Sequence, residues 1–376
     1  MVIQIFRPRF HVDECLAEIR ECLEIGWTGL GFKTVAFEDA WKAYTGLPSA
    51  HFLNSATAGL HLAVELFSKQ GGWRDGDEVI TTPLTFVSTN HSILYANLTP
   101  VFADVDDYLC LDPQDVECKI TDRTRAVMFV GIGGNTGQLE AVRDLCRQRG
   151  LKLILDAAHM SGTRLHGGDP GHLADAAVYS FQAVKNLPTA DSGMICFQSP
   201  ELDRAARRLS WLGISKDTYE RSGAKGSYKW KYDVDEVGYK YHGNSVMAAI
   251  GLVQLKYLDE DNAYRRQIAD WYDAAFAGHD AVRPVPVAPG CTSARHFYQV
   301  AVDDREQVIQ GLYDRGVYPG VHYRDNTAYP MYAEAAGSCP KAHDLSERIL
   351  SLPVHLNLTE EDVGAVVNAV REFTSE

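Results

Sequence analysis

Residues 151–197, "LKLILDAAHMSGTRLHGGDPGHLADAAVYSFQAVKNLPTADSGMICF", hold the pattern that decides the fold. Three short apolar runs begin inside it: "LKLILDAAH" (151–159), "AAVYSF" (176–181) and "SGMICFQ" (192–198), the last ending one residue beyond. Apolar runs of this length, bounded by turn residues, mark strands buried on both faces. The same texture extends upstream. "GDEVITTP" (76–83) reads as turn, strand and stop, "TPVFADVD" (99–106) as a strand ending in acids, and "RAVMFVG" (125–131) as another strand. Between them lie helix-period segments. "TAGLHLAVELFSKQ" (57–70) places Leu60, Ala63, Val64 and Phe67 on one face, "FVSTNHSILYA" (86–96) is helical, and "LEAVRDLCRQRG" (139–150) is a helix closed by glycine. Strand–helix alternation with continuous apolar strands predicts an α/β fold: a mostly parallel sheet covered by helices on both faces.

The texture changes near residue 245, which divides the chain into a large domain (1–245) and a smaller unit (246–376). "SVMAAIGLVQLKYLDEDNAYRRQIADWYDAAFAG" (245–278) reads as a long bridging helix with at most one break. "RHFYQVAVD" (295–303), "REQVIQGLYDRG" (305–316) and "VYPGVHY" (317–323) predict strand, helix and strand of an α+β unit. The last helix, "TEEDVGAVVNAVREF" (359–373), opens with a capping box of Thr359 and Asp362, an aspartate in place of the usual glutamate.

Length and composition set limits. At 376 residues, 45% hydrophobic and 23% charged, the chain is an ordinary globular protein with room for two domains. A formal net charge of -14 argues against nucleic acid or an anionic membrane as partner. Eight cysteines without a CxxC pair read as reduced thiols of a cytoplasmic protein. No signal-peptide pattern and no apolar stretch of membrane-spanning length is seen.

The chemistry gathers around Lys185. In parallel α/β sheets, ligands sit at the carboxyl ends of the strands. Asp156 closes "LKLILDAAH" there; it is either the N-cap of a following helix or the partner of a buried cation. Ser180 ends "AAVYSF", and Lys185 follows in the next loop. "NSATAG" (54–59) puts small residues at a helix start, the arrangement in which backbone amides and the helix dipole hold a phosphate. An Asp, a Lys, a Ser and such a helix start together suggest pyridoxal 5'-phosphate, which needs a Schiff-base lysine, a carboxylate on its pyridine nitrogen and a phosphate cup. Phe86 is the candidate for an aromatic face on the ring. A carboxylate–pyridinium pair at roughly 3 Å and an effective dielectric near 20 is worth about 5 kcal/mol before desolvation.

These residues, with "FEDAWKAYTG", "NSATAGLHLA", "GDEVITTPLTFVSTNHSI", "YSFQAVKNLPTADSGMI", "YHGNSVMAAIGLVQL" and "GVHYRDNTAYPMY", make the chain resemble the DegT/DnrJ/EryC1/StrS aminotransferases over nearly its whole length. The resemblance implies the aspartate-aminotransferase fold (type I of the pyridoxal-phosphate enzymes): a large domain on a mostly parallel seven-stranded sheet, plus a smaller α+β C-terminal domain. It implies amino transfer from L-glutamate to a keto sugar, most readily C4 of a nucleotide-linked 4-keto-6-deoxyhexose; C3, or a sugar without a nucleotide, is the alternative.

Residue by residue, it assigns Lys185 to the Schiff base, Asp156 to the pyridine nitrogen and His159 to the ring-hydroxyl side. It assigns Phe86 to stacking, Ala56, Thr57 and Ser180 to the phosphate cup, and Asn244 to the cup of a neighbouring subunit in a homodimer. His322 and Tyr323, Trp27 and Lys33, and Lys229 in the expected hairpin "RSGAKGSYKWKYD" (221–233) are assigned to the substrate side. Ala56 stands where the family usually has glycine, and "FVGIGGNTGQLEAV" (129–142) is richer in glycine than the family pattern. A branch of the family that dehydrates has histidine at the lysine position; Lys185 favours amino transfer.

Two readings from other classes stand beside this one. "VGIGGNTG" (130–137) invites a dinucleotide site and an NAD-dependent oxidoreductase, but Thr136 breaks the strict glycine pattern. A non-catalytic relative would have no need of Lys185, Asp156 and Ser180 together. The acids Asp104, Asp106 and Asp107 read as a strand-end turn, and no metal site is expected.

Overall fold

The computed structural model describes residues 2–214 and 232–374. Its main sheet has seven strands: β1 (His51–Leu53), β2 (Glu78–Thr81), β3 (Thr99–Phe102), β4 (Thr124–Val130), β5 (Lys152–Asp156), β6 (Ala176–Ser180) and β7 (Gly193–Phe197). Their spatial order is β1-β7-β6-β5-β4-β2-β3, and only β7 runs antiparallel to its neighbours.

Side-chain alternation explains why the apolar runs are continuous. In β4, Val127 and Phe129 enter one core while Ala126 and Met128 enter the other, and β6 divides Ala177 and Tyr179 from Ala176 and Val178 in the same way. Helix α1 (Val12–Ile25) precedes α2 (Phe32–Thr45), which covers the first face with Phe37 and Trp41. Helix α3 (Ala56–Gly71) covers the second face with the expected stripe of Leu60, Ala63, Val64 and Phe67. Helices α4 (Ser88–Tyr95) and α5 (Leu139–Arg149) complete the layers, and α5 ends on Gly150 in the left-handed region.

Helix α6 (Ser245–Phe276) is 32 residues long without a break, so the interruption allowed from sequence does not occur. Its first half buries Ala248 and Leu258 in the large core, and its second half buries Ile268 and Tyr272 in the core of the smaller unit. That unit is built on antiparallel β8 (Val282–Pro284), β9 (Tyr298–Val302) and β10 (Ile349–Leu352). Helix α7 (Glu360–Phe373) begins with the expected capping box: Asp362 N–H donates to Thr359 Oγ1 (3.2 Å) and Thr359 N–H donates to Asp362 Oδ2 (2.9 Å).

The expected strand over 317–323 is shorter. Val317–Tyr318 pairs in parallel with Ile3–Gln4, Pro319 has no N–H to continue the ladder, and beyond it Gly320 makes a single antiparallel bridge to Ser351. Lys229 and most of the expected 221–233 hairpin lie outside the described residues. No helix among the described residues is long and apolar enough to cross a membrane.

Candidate active site

Parallel pairing of β5 with β6 brings Asp156 level with Val178 and delivers Asp156 and Ser180 to one cavity of about 470 Å³ at the carboxyl ends of the strands. Asp156 is 4% exposed. Its Oδ1 accepts from Ala158 N–H (3.1 Å) and its Oδ2 from Thr89 Oγ1 (2.8 Å). No helix follows Asp156 directly, so the expected helix N-cap does not occur; the Ala158 bond closes only a turn and does not neutralise the group. Burial pushes the carboxyl above the usual aspartate range, against those two hydrogen bonds and the charge of Lys185. Among the described residues Asp156 has no ion-pair partner, so a cation is what this position lacks.

Beyond Ser180 the chain turns sharply, with Lys185 N–H donating to Gln182 carbonyl (2.8 Å) and Thr189 N–H donating back to Phe181 carbonyl (2.8 Å). The turn presents the Lys185 side chain to the cavity, where its amine has no hydrogen-bond partner among the described residues. Burial lowers its pKa to about 8 against the attraction of Asp156. Lys185 is thus a desolvated amine rather than an ordinary surface lysine.

Helix α3 starts at the same cavity. Ser55 Oγ accepts from Ala58 N–H (3.1 Å), and the N–H groups of Ala56 and Thr57, both at the cavity wall, have no acceptor inside the helix. Gly193 allows this helix start to meet the sheet. It faces Ser180 in register, and a Cβ on it would fall 2.6 Å from Ala56 N.

His159 Nδ1 accepts from Gly133 N–H (3.3 Å), which leaves the proton on Nε2, 3.3 Å from the Tyr323 hydroxyl. Burial, and then the charge of Lys185, hold this imidazole well below its usual range, so it is neutral. The glycine-rich turn at 131–134 thus acts as a brace behind His159, with Gly133 at φ +61° to aim its N–H. Phe86 lines the cavity, is 57% exposed, and its ring centroid lies 6.0 Å from that of Tyr323. His322 lines the same wall; burial and the charge of Lys185 push its pKa down to about 3, and its Nδ1 sits 2.9 Å from Ser351 Oγ.

Three candidates lie elsewhere in this chain. Trp27 Nε1 donates to Leu30 carbonyl (2.7 Å). Lys33 is 8% exposed and pairs with Glu18 and with Glu21 (2.6 Å) of α1. Asn244 caps α6, its Oδ1 accepting from Met247 N–H (3.0 Å). None of the three lines the Lys185 cavity. Conversely, Phe6, Thr85, Gln182, Asp191, His296 and Phe297 line it without having been singled out, and Thr89 supports it from behind. Their only sequence signal was nearness to a motif, and Phe6 had none.

The groups present fit pyridoxal phosphate: a buried carboxylate without a cation, an amine without a partner, and helix-end amides without acceptors. Comparison with known proteins agrees. The model of the DegT/DnrJ/EryC1/StrS aminotransferase family matches residues 11–371. The spore coat polysaccharide biosynthesis protein SpsC of Bacillus subtilis (strain 168) is 36% identical over 372 residues, covering 96% of this chain and 94% of the relative. The dTDP-4-dehydro-2,3,6-trideoxy-D-glucose 4-aminotransferase of Saccharopolyspora spinosa is 35% identical over 374 residues, covering 98% and 95%. The structure of Spr1654 from Streptococcus pneumoniae in its PMP form superposes with a TM-score of 0.91 at 28% identity, covering 98% of each chain. This chain belongs to the DegT/DnrJ/EryC1/StrS aminotransferase family and is a pyridoxal-phosphate-dependent sugar aminotransferase.

Proposed function

We propose that the chain transfers an amino group from L-glutamate to C4 of a nucleotide-linked 4-keto-6-deoxyhexose. The observation that carries the chemistry is the meeting of Lys185 and Asp156 in one cavity, the carboxylate without an ion-pair partner and the amine without a hydrogen-bond partner among the described residues. The choice of C4 and of a nucleotide carrier is supported by the Saccharopolyspora relative, whose name states both.

When bound, pyridoxal phosphate supplies an electron sink for the carbon that gains or loses the amino group. The protein's part follows from its residues. Asp156 would hold a proton on the pyridine nitrogen, its carboxylate made more basic than usual by burial. Ala56, Thr57 and Ser180 would orient the phosphate at the α3 start, where the dipole favours an anion. Phe86 would cover the ring, and the His159 Nε2–H would donate on its hydroxyl side. Lys185 would hold the cofactor between turnovers and, once free, move a proton as general base; a pKa of about 8 lets it do both near neutral pH. His322 and Tyr323 would face the sugar. In a homodimer, Asn244 of a second copy would complete the phosphate cup.

An absorbance spectrum of the purified protein tests the first half. A visible cofactor band that L-glutamate shifts to the near ultraviolet, and that is altered in Lys185→Ala, supports the reading; no band after pyridoxal phosphate is supplied overturns it. Keto sugar nucleotides that restore the band identify the acceptor, and NMR of the product gives the aminated carbon. An amine found at C3 would refute the C4 assignment.

A further inference from the structure

One polar atom in the cavity wall has no role in the reading above. His296 is 1% exposed and lines the Lys185 cavity, and its Nε2 has no hydrogen-bond partner among the described residues. The state of that nitrogen is set by a chain of side-chain amides. Asn262, midway along α6, donates its Nδ2 to Ser161 carbonyl (2.9 Å), so its Oδ1 is the acceptor. Asn186 donates its Nδ2 to that Oδ1 (2.7 Å) and to Ala294 carbonyl (2.7 Å), so its own Oδ1 must also accept. His296 Nδ1 lies 2.9 Å from this oxygen and therefore carries the proton. A neutral imidazole with its proton on Nδ1 presents a bare lone pair on Nε2. His159 is held in the opposite tautomer by Gly133, and the two rings stack with centroids 4.6 Å apart. Phe6 covers the other face of His296 at 5.5 Å.

A buried acceptor left unmatched is costly, so it marks a place where a donor arrives. The same cavity holds the Lys185 amine, a donor without a hydrogen-bond partner among the described residues, and the amide that orients His296 belongs to the next residue, Asn186. We propose that Asn186 and His296 form a positioning device in which the His296 Nε2 lone pair accepts a hydrogen bond from the free, protonated Lys185 amine. The device would steady that ammonium whenever the lysine is not covalently engaged. Because Asn262 lies on α6 and residues 294–296 lead into β9, it also ties the lysine loop to the bridging helix and the smaller unit. The other titratable groups around the pair are Asp156 beside the lysine, and His159, His322 and Arg265 beside the imidazole; Tyr323 adjoins Asp156 and His159. Asp156 favours the ammonium, whereas Arg265 disfavours any charge on His296.

The proposal rests on Lys185 being the reactive amine, and its test uses cofactor-free protein so that the two can fail separately. The pH dependence of Lys185 labelling by an amine-reactive reagent, read by mass spectrometry of the Lys185 peptide, gives the titration midpoint of the amine. His296→Phe keeps the ring stack and deletes the acceptor. Its midpoint should fall by about one pH unit, a tenfold change in the protonation constant. His296→Gln keeps a donor toward Asn186 and an acceptor toward the cavity, and should restore most of the shift. A His296→Phe midpoint equal to the wild type overturns the proposal, as does an equal fall in both variants, which would reflect packing alone. Thermal melts show that each variant is folded. Failure here leaves the spectral test of Lys185 intact, and failure of that test leaves this midpoint measurable.

Discussion

Replacing Lys185 with methionine should make the cofactor-free protein more stable at neutral pH while abolishing its activity. The amine titrates at 10.5 in an open chain and at about 8 in the folded protein, because burial penalises its charge more than Asp156 rewards it. At 1.36 kcal/mol per unit, that displacement costs the fold about 3 kcal/mol whenever both states are protonated. The sign and the window follow. Below about pH 8 the amine is charged in both states and the whole cost is present. Between 8 and 10.5 the folded amine has lost its proton and the unfolded one has not, so wild-type stability recovers with rising pH. Methionine has similar bulk and no charge, so its advantage should be about 3 kcal/mol at pH 7 and vanish near pH 10.5. Urea unfolding of both proteins, cofactor-free and at one fixed concentration, measures the difference at the two ends of the window. A methionine variant less stable at pH 7, or a gap that does not change with pH, would refute the view that the lysine is held at the expense of the fold.

Three further substitutions probe the supports of the site. Thr89→Val removes one of the two donors to the buried Asp156 carboxylate and should cost roughly 1–3 kcal/mol at neutral pH, with less cost in acid where the carboxyl is protonated; chemical unfolding at two pH values checks it. Gly193→Ala would drive a Cβ to 2.6 Å from Ala56 N and displace the α3 start, so pyridoxal phosphate should bind at least about tenfold more weakly by fluorescence titration, a loss of about 1.4 kcal/mol. Lys33→Met strands Glu18 and Glu21 and should lower stability by roughly 1–3 kcal/mol, between the exposed and the buried limits for an ion pair. Its KM for the sugar should stay near the wild-type value, and a large rise would return Lys33 to the substrate side.

Much of this architecture is local and could be read in one dimension. A strand buried on both faces needs an unbroken apolar run, so 151–156 and 176–180 announced β5 and β6, and a carboxylate or hydroxyl ending such a run fell at the ligand-binding edge. The Thr359–Asp362 box and the glycine stop of α5 were equally legible, because helix caps are satisfied within a few residues. Lys185 and Asp156 were found because their neighbours in sequence are also their neighbours in the sheet. The remainder depends on closure of the chain over long separations, which no local pattern encodes. Phe6 enters the cavity because Ile3–Gln4 pairs with Val317–Tyr318, and Lys33 forms ion pairs within its own chain because α1 supplies Glu18 and Glu21. Gly193 is indispensable only where β7 passes the start of α3, and Asn186, Asn262 and His296 share hydrogen bonds only once α6 and the entry to β9 have packed against the lysine loop. The sequence by itself determined which groups could do chemistry; tertiary packing decided which of them meet, because burial, tautomer and pKa belong to the surroundings a side chain finds after folding.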